Sequence, residues 1–165
     1  METTIKFAKV KPNAIIPSKR EEDMGYDIYA CFEENYIAIN PHETRLIPTG
    51  IASSCDKEYG FIVKERGSTG SKGIAVRCGV IDSNYRGEWF IGLTNTTNEP
   101  LFLVNPNWDN KVFIKSNVFT YDCEKAIAQF ILVPVPKTTV EEISYEELKE
   151  IESNRGEGAL GSSGK

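Results

Sequence analysis

The chain has 165 residues, a formal net charge of −5 and an isoelectric point near 5.1. This length predicts one main domain, large enough to bury a core without disulfides or metal. The negative charge argues against general binding to nucleic acid or to an anionic membrane, so a polyanionic ligand would need a local cluster of cations or a metal ion.

The elements predicted in chain order are mostly short strands, rich in Ile, Val, Tyr, Phe and Thr and separated by turn residues. The ten predicted strands are Ile5–Val10, Tyr26–Ala30, Tyr36–Ile39, Arg45–Ile51, Gly60–Val63, Ile74–Val76, Gly87–Asn95, Leu101–Val104, Val112–Phe119 and Ala126–Pro134. This pattern predicts an all-β sandwich, jelly roll or barrel. One helix is predicted over Tyr145–Ile151, because Ser144 and Glu147 form a capping-box pattern. The mixed segment Asn105–Lys125 is interpreted as an extra hairpin.

The thiols and the single histidine exclude several kinds of catalytic site. The four cysteines show no C-x-x-C spacing and no companion histidines, which is typical of reduced, unliganded thiols. His42 lies in a predicted loop, so chemistry that needs a histidine base or zinc ligand is not expected. We find no signal-peptide core and no apolar run approaching the ~20 residues that span a bilayer. The sequence therefore predicts a cytoplasmic protein that binds no membrane.

Three patches in the first half of the chain could carry chemistry. The segment Gly25–Ala30 places Asp27 between aromatic residues on a strand. The segment Arg66–Gly73 is a cationic loop rich in glycine and serine, of the kind that holds phosphates through backbone N–H groups. The segment Gly79–Gly87 presents an aspartate at a strand–turn junction with a tyrosine three residues later. Such an aspartate is a candidate general base, and such a tyrosine can form a wall beside a bound ring.

Two further patches lie near the C-terminus. Gln129 interrupts an apolar strand, and its amide must find partners within the fold or on a ligand. Residues 155–165 contain four glycines and two serines, a composition that predicts a mobile tail. Such a tail is either a disordered terminus or a strap that wraps a phosphate, with Arg155 as a clamp. The sequence thus predicts a domain over 1–152 and a mobile phosphate-closing tail over 153–165.

In this order, the five patches resemble the five motifs of the trimeric, all-β dUTPases, from about residue 24 to the C-terminus. The resemblance implies a jelly-roll-like fold with one short helix and a flexible glycine-rich tail. It implies Mg²⁺-assisted attack of water on the α-phosphorus of dUTP, which yields dUMP and pyrophosphate, keeps uracil out of DNA and supplies dUMP for thymidylate synthesis. It also implies a homotrimer whose sites each draw on three subunits.

The resemblance assigns roles to residues of this chain. Asp82 is implied to be the general base, Asp27 to contact a metal-bound water, and Tyr85 to exclude a 2′-hydroxyl. The other implied dUTP-binding residues are Arg66, Gly67, Ser68 and Gln129 at the phosphates, Gly79, Val80 and Ile81 at uracil, and Arg155, Leu160, Gly161, Ser162 and Ser163 in the closing tail.

This chain departs from the family pattern in three places. Gly67 separates Arg66 from Ser68, so the serine that meets the phosphates is in question, and we favour Ser68. Leu160 stands where the family has an aromatic residue, which predicts a weaker lid that Leu160→Phe would tighten. The segment Asn105–Lys125 is longer than the usual link, and its role is open between surface decoration and binding of an unidentified partner.

Two alternatives deserve comparison with dUTP hydrolysis. A dCTP deaminase on the same fold would need a glutamate where this chain has Gly92, so deamination is not expected. A regulatory module that senses dUTP could use ordering of the tail as a switch. Because Asp82 is intact, we expect such a role in addition to hydrolysis rather than in its place.

Overall fold

The computed structural model of the chain describes residues 3–108 and 118–158. Within these ranges the backbone forms twelve short strands and two short helices, so the predicted all-β class is confirmed. The strands are β1 (Lys6–Lys9), β2 (Tyr26–Ile28), β3 (Tyr36–Ile39), β4 (Thr44–Pro48), β5 (Ile51–Ser54), β6 (Tyr59–Lys64), β7 (Ile74–Arg77), β8 (Val80–Ile81), β9 (Phe90–Asn95), β10 (Leu101–Val104), β11 (Phe119–Asp122) and β12 (Ala128–Pro134). The helices are α1 (Gly67–Gly70) and α2 (Tyr145–Glu150).

The strands form four small sheets, with the strand orders β1-β5, β3-β10-β11, β2-β12-β6-β8 and β4-β9-β7. Neighbouring strands are antiparallel except β10 and β11, which run parallel from the pair Leu101 and Phe119 to the pair Val104 and Asp122. In the described part of the chain the sheets stay open rather than closing into a barrel. This arrangement agrees with the predicted jelly-roll-like fold.

Two predicted elements differ from the structure because of local backbone turns. The predicted strand Arg45–Ile51 is divided into β4 and β5 at Gly50, whose φ of +68° lies in the left-handed region. The predicted loop Arg66–Gly73 contains the single helical turn α1. The turn at Gly50 lies against Glu88, just after the motif Gly79–Gly87. The helical turn α1 lies within the motif Arg66–Gly73.

The interpretation of Asn105–Lys125 as a hairpin stays a prediction, because residues 109–117 of that segment lie outside the described residues. The strand β11 lies parallel to β10, and a parallel pair needs a crossover connection rather than a tight turn. Of the predicted strand Val112–Phe119, residues 112–117 lie outside the described residues. The added strand therefore extends the sheet β3-β10-β11 at its edge.

An aromatic cluster at the centre of the core holds the motif-bearing strands in place. Trp89, Phe61 and Phe130 are fully buried, and their ring centroids lie 5.0 Å to 5.4 Å apart at steep interplanar angles. Edge-to-face pairs of this kind each stabilise a fold by about 1 kcal/mol beyond their buried area. Since Phe130 follows Gln129 and Trp89 follows the turn after Asp82, the core anchors two of the five motifs directly.

The chain divides into two compact units, residues 1–135 and 136–165. In the second unit, Ser144 Oγ accepts a hydrogen bond from Glu147 N at 3.1 Å, and Glu147 Oε2 accepts one from Ser144 N at 2.8 Å. This capping box confirms the predicted helix, which ends at Glu150 rather than Ile151. The domain limits 1–152 and 153–165 stay a prediction. None of the helices in the described ranges is long and apolar enough to cross a membrane.

Candidate active site

The sheet β2-β12-β6-β8 positions four of the five sequence motifs. In its register Asp27 lies opposite Gln129, and Gln129 lies opposite Lys64. Arg66 follows two residues after Lys64, so the first, second and fourth motifs meet at one end of β6. The third motif follows β8, which pairs with the other end of β6 through Ile81 and Phe61.

Where the first, second and fourth motifs meet, Arg66 and Asp27 form an ion pair. Arg66 Nε lies 2.9 Å from Asp27 Oδ1, and Arg66 Nη2 donates to Asp27 Oδ2 at 3.4 Å. Both side chains are about one-third exposed, at 29% and 33%. This pairing orients the guanidinium toward the cavity described next, and it leaves the charge of Arg66 partly neutralised.

The backbone around Arg66 is held by two neighbours that the sequence analysis did not single out. The buried Thr69 hydroxyl accepts a hydrogen bond from Arg66 N at 3.0 Å and donates one to Arg66 O at 3.1 Å. The carbonyl of Ala126 accepts both Arg66 Nη1, at 3.2 Å, and the Tyr121 hydroxyl, at 2.7 Å. Burial raises the pKa of Tyr121, so this hydroxyl remains a donor at neutral pH.

These residues open onto a cavity of about 730 Å³. The cavity is lined by Ser18, Lys19, Arg20, Asp23, Met24, Gly25, Asp27, Arg66, Gly67, Ser68 and Gln129. The Gln129 amide donates from Nε2 to Glu65 O at 3.0 Å, as expected of a half-buried amide that finds a partner within the fold. A Cβ atom on Gly25 would overlap the Gln129 amide oxygen, so only glycine lets this side chain lie in place. The first, second and fourth motifs thus share one cavity.

The third motif lines a separate cavity of about 410 Å³. Its lining residues are Leu46, Cys78, Val80, Ile81, Asp82, Tyr85, Glu88, Trp89 and Phe90. Gly79 O accepts a hydrogen bond from Val63 N at 2.6 Å, which fixes the start of this hairpin against β6. The structure therefore gathers Val80, Ile81, Asp82 and Tyr85 around one opening, with Gly79 immediately before them.

The turn after Asp82 is fixed by its own hydrogen bonds. Tyr85 N donates to Asp82 O at 3.1 Å, and the Tyr85 hydroxyl donates to Glu88 O at 3.0 Å. Arg86 Nη1 donates to Ser83 O at 2.7 Å. A Cβ atom on Gly87 would overlap the Tyr85 hydroxyl, so the ring can fold over the turn only because residue 87 is glycine. Tyr85 is consequently held as a wall at the rim of the cavity.

Glu88 is a further residue that the sequence analysis did not single out. Its carboxylate accepts a hydrogen bond from Gly50 N at 2.8 Å and lies 3.9 Å from Lys11 Nζ. These contacts tie the third motif to the break between β4 and β5. No local signal in the sequence joins residues 38 positions apart, so this contact could be found only from the fold.

The two cavities lie far apart within one chain, and no described residue lines both. In the antiparallel register Asp82 falls opposite Gly60 of β6. Asp27 aligns through Gln129 with Lys64 of β6 and lies on β2, three strands from β8. Four residues along β6 and three inter-strand spacings correspond to a separation of roughly 20 Å. Within one subunit, Asp82 and the Arg66–Asp27 pair therefore line different cavities.

The fifth motif lies in the second unit and is described only in part. Arg155 Nε donates to Gly158 O at 2.8 Å, and Gly156 N donates to Ser153 Oγ at 3.1 Å. These bonds form a local turn in the first residues of the tail. The predicted site residues Leu160, Gly161, Ser162 and Ser163 lie outside the described residues.

Comparison with known proteins identifies the family. The dUTPase family model matches residues 11–107. The chain is 32% identical over 165 residues to the deoxyuridine 5′-triphosphate nucleotidohydrolase of Nautilia profundicola, covering 98% of this chain and 99% of that protein. The corresponding protein of Neisseria meningitidis serogroup A is 33% identical, with 85% of this chain and 81% of that protein covered.

Solved structures agree with this assignment. A variant of the Staphylococcus bacteriophage 80alpha dUTPase with dUpNHpp has a TM-score of 0.77 and 26% identity, over 98% of this chain and 99% of that chain. The phage phi11 dUTPase of S. aureus, at 20% identity and a TM-score of 0.67, covers 85% of this chain and 96% of that one and shares the fold. The chain therefore belongs to the dUTPase family and is a dUTP diphosphatase, as the order of its five motifs predicts.

Proposed function

We propose that this dUTPase hydrolyses dUTP to dUMP and pyrophosphate at sites built between the subunits of a homotrimer. The observation that carries the proposal is the separation of roughly 20 Å between Asp82 and the Arg66–Asp27 pair, estimated from strand spacing. A general base must lie within hydrogen-bond reach of the water that it deprotonates. A second copy of the chain can bring its Asp82 to the phosphate cavity of the first.

The phosphate half of the site would be the cavity beside β2 and α1. Arg66 would bind phosphate oxygens through its planar guanidinium, with Gly67 N–H and the Ser68 hydroxyl as further donors at the start of α1. Gln129 would bind the α-phosphate. Phosphoryl transfer needs alignment and neutralisation of charge more than covalent chemistry, and this set of donors provides both.

The chemical step would depend on Asp82 of another subunit. Its carboxylate would orient a water molecule and accept a proton from it as the water oxygen attacks the α-phosphorus. The bond from that phosphorus to its bridging oxygen then breaks, and the bridging oxygen leaves with pyrophosphate. The turn that follows Asp82 is fixed by Tyr85 and Arg86, which supports this proposed role.

Magnesium fits the residues at the phosphate cavity. In the described ranges no three His, Cys, Asp or Glu side chains cluster closely enough to hold a metal ion by themselves. Mg²⁺ in nucleotide sites typically uses one or two carboxylates together with substrate phosphates and waters, and Asp27 lines the cavity as such a carboxylate. Asp27 would hold the ion through a water, and the bound ion would neutralise charge on the phosphates.

Base and sugar recognition would come from the cavity of the third motif. Uracil would pair with backbone groups of Gly79, Val80 and Ile81, in a space too narrow for a 5-methyl group. Tyr85 would lie against the deoxyribose and exclude a 2′-hydroxyl. The tail of a third subunit, with Arg155, Leu160, Gly161, Ser162 and Ser163, would close over the substrate.

The reaction is tested first by measuring pyrophosphate release from dUTP, dTTP, dCTP and UTP in the presence of Mg²⁺. We expect strong preference for dUTP.

The shared site is tested by co-refolding two inactive variants, Asp82→Asn and Arg66→Ala, in equal amounts. If each site takes these residues from different subunits, about a quarter of the sites regain both, and activity returns to about that fraction. Activity that stays at the level of the separate variants would contradict the shared site.

A dUTP-sensing regulatory role is a second candidate function. The phage 80alpha enzyme, similar over 98% of this chain, is one of the phage dUTPases said to control transfer of virulence genes by a proto-oncogenic G protein-like mechanism. In this chain β11 adds an edge strand within the long segment that follows β10. The role predicts that the Asp82→Asn variant still binds a non-hydrolysable dUTP analogue and changes its protein contacts on binding.

A further inference from the structure

We propose that Lys19 is an additional phosphate-binding residue, which contacts the β- and γ-phosphates of the bound nucleotide. This inference rests on the proposed function, because it assigns a role within the same phosphate cavity. Lys19 belongs to none of the five motifs, and nothing in its local sequence marks it as a ligand. Its role follows from its position and from the charges around it.

The backbone places Lys19 beside the first motif. Asp27 N donates to Ser18 O at 2.9 Å, which forms an isolated antiparallel bridge just before Lys19. Lys19 then lines the same cavity as Arg66 and Gln129. The segment is therefore attached to β2 rather than being a free loop, and the lysine enters the cavity at a fixed point.

The ammonium group of Lys19 is also held in place. Its Nζ donates to Arg20 O at 3.2 Å and to Glu21 O at 3.0 Å, and it lies 5.4 Å from the centre of the Tyr26 ring. That ring stacks on the buried Phe130 with centroids 4.7 Å apart. An ammonium has three N–H donors, so these two carbonyls leave one donor of Lys19 unused.

The charges of the cavity lining single out Lys19. Arg66 is paired with Asp27, and Arg20 is paired with Asp23, with its Nε 2.8 Å from Asp23 Oδ2. Lys19 forms no ion pair with any carboxylate in the described ranges. The described lining thus holds three cations and two carboxylates, and its surplus positive charge resides on Lys19.

A nucleoside triphosphate is the ligand that best matches this surplus charge. Its β- and γ-phosphates carry most of its negative charge, whereas a nucleoside monophosphate lacks them. Charge-assisted hydrogen bonds from an ammonium to phosphate are among the stronger polar contacts in proteins. Lys19 should therefore increase affinity for the triphosphate far more than for the monophosphate product.

The experiment compares Lys19→Met, which keeps the length of the side chain, with Lys19→Arg, which keeps the charge. Lys6→Met is the control, since Lys6 is an exposed lysine of β1 that lines neither cavity. Steady-state kinetics with dUTP give KM and kcat. Calorimetry gives the dissociation constants of an α,β-imido analogue of dUTP and of dUMP, and these do not depend on turnover.

We expect Lys19→Met to raise KM and the dissociation constant of the imido analogue about fivefold, with kcat and the affinity for dUMP within twofold of wild type. Lys19→Arg should restore most of the loss. Unchanged affinity for the imido analogue, an equal loss in Lys6→Met or an equal loss for dUMP would each overturn the proposal. If the wild type binds the analogue but releases no pyrophosphate, the proposed hydrolysis fails, while the affinity comparison still tests Lys19.

Discussion

The guanidinium of Arg66 contacts the carboxylate of Asp27 through two nitrogen–oxygen pairs, at 2.9 Å and 3.4 Å. A third nitrogen of the same group donates to Ala126 O. These contacts fix the plane of the guanidinium before any phosphate arrives. In the proposed phosphate-binding role, Arg66 would therefore lose little side-chain freedom on binding, which favours tight and well-oriented contact.

Replacement of Arg66 by lysine should impair the enzyme although the charge is kept. An ammonium cannot bind Asp27, Ala126 O and a phosphate in one plane, so we expect kcat/KM for dUTP to fall about 100-fold. The matched control is Arg45→Lys, since Arg45 is an exposed residue whose Nε lies 3.9 Å from Glu43 Oε1 and which lines neither cavity. A surface pair of this kind contributes little, and its variant should stay within about twofold. Equal activity of the two variants would contradict the assignment.

The hydroxyl of Thr69 should matter through the backbone of Arg66. Thr69→Val keeps the shape of the buried side chain but removes both hydrogen bonds to Arg66 N and O. We expect the free energy of unfolding to fall by about 1–2 kcal/mol in urea titrations, because a backbone N–H loses its partner. The KM for dUTP should rise as the Arg66 loop loosens. Thr69→Ser, which keeps the hydroxyl, should show a smaller loss in both measurements.

Gly87 should control sugar selectivity through Tyr85. In Gly87→Ala the new methyl group overlaps the Tyr85 hydroxyl, so the ring must leave its place over the turn. We expect the preference for dUTP over UTP, measured as a ratio of kcat/KM values, to fall about tenfold. Tyr85→Phe keeps the ring but loses the hydrogen bond to Glu88 O, and it should show a smaller change. An unchanged ratio in Gly87→Ala would exclude Tyr85 as the sugar-selective wall.

The sequence allowed the strands and the motifs to be predicted, because both depend on local patterns. Ile, Val and aromatic residues mark the strands, and the isolated Gln129 in an apolar strand indicated an amide that needs a partner. Long-range relationships could not be predicted in this way. The pairing of Asp27 with Arg66 depends on the register of β2, β12 and β6, which brings together residues 39 positions apart.

The same limit explains the pairings and turns that local patterns could not predict. The strands β10 and β11 pair in parallel. The residue pattern of each strand does not show which strand it pairs with or in which direction. The division of Arg45–Ile51 depends on the left-handed backbone of Gly50, which is held by the carboxylate of Glu88. Such contacts follow from the whole fold rather than from the residues beside them.

Burial of Cys123 should make the fold less stable at high pH. Burial raises the pKa of its thiol from 9.0 to about 12, with a smaller contribution from Asp122. The thiol ionises more readily in the unfolded chain, so its stabilising contribution is complete below pH 9 and is lost as the pH rises toward 12. Between pH 8 and pH 10 the wild type should lose about 1 kcal/mol more than Cys123→Ala in urea titrations. Parallel pH profiles would contradict this prediction.

Asp82→Asn should separate turnover from binding. The amide keeps the size of the side chain but cannot accept a proton from water, so we expect kcat for dUTP to fall about 10³-fold. The dissociation constant of the α,β-imido analogue should stay within about threefold, because the proposed mechanism has Asp82 contact the attacking water rather than the base or the phosphates. Asp56→Asn is the control, since Asp56 is a surface carboxylate bonded to Thr3 that lines neither cavity. A large loss of affinity in Asp82→Asn would show that this carboxylate binds the substrate or its metal, and full activity would place the general base elsewhere.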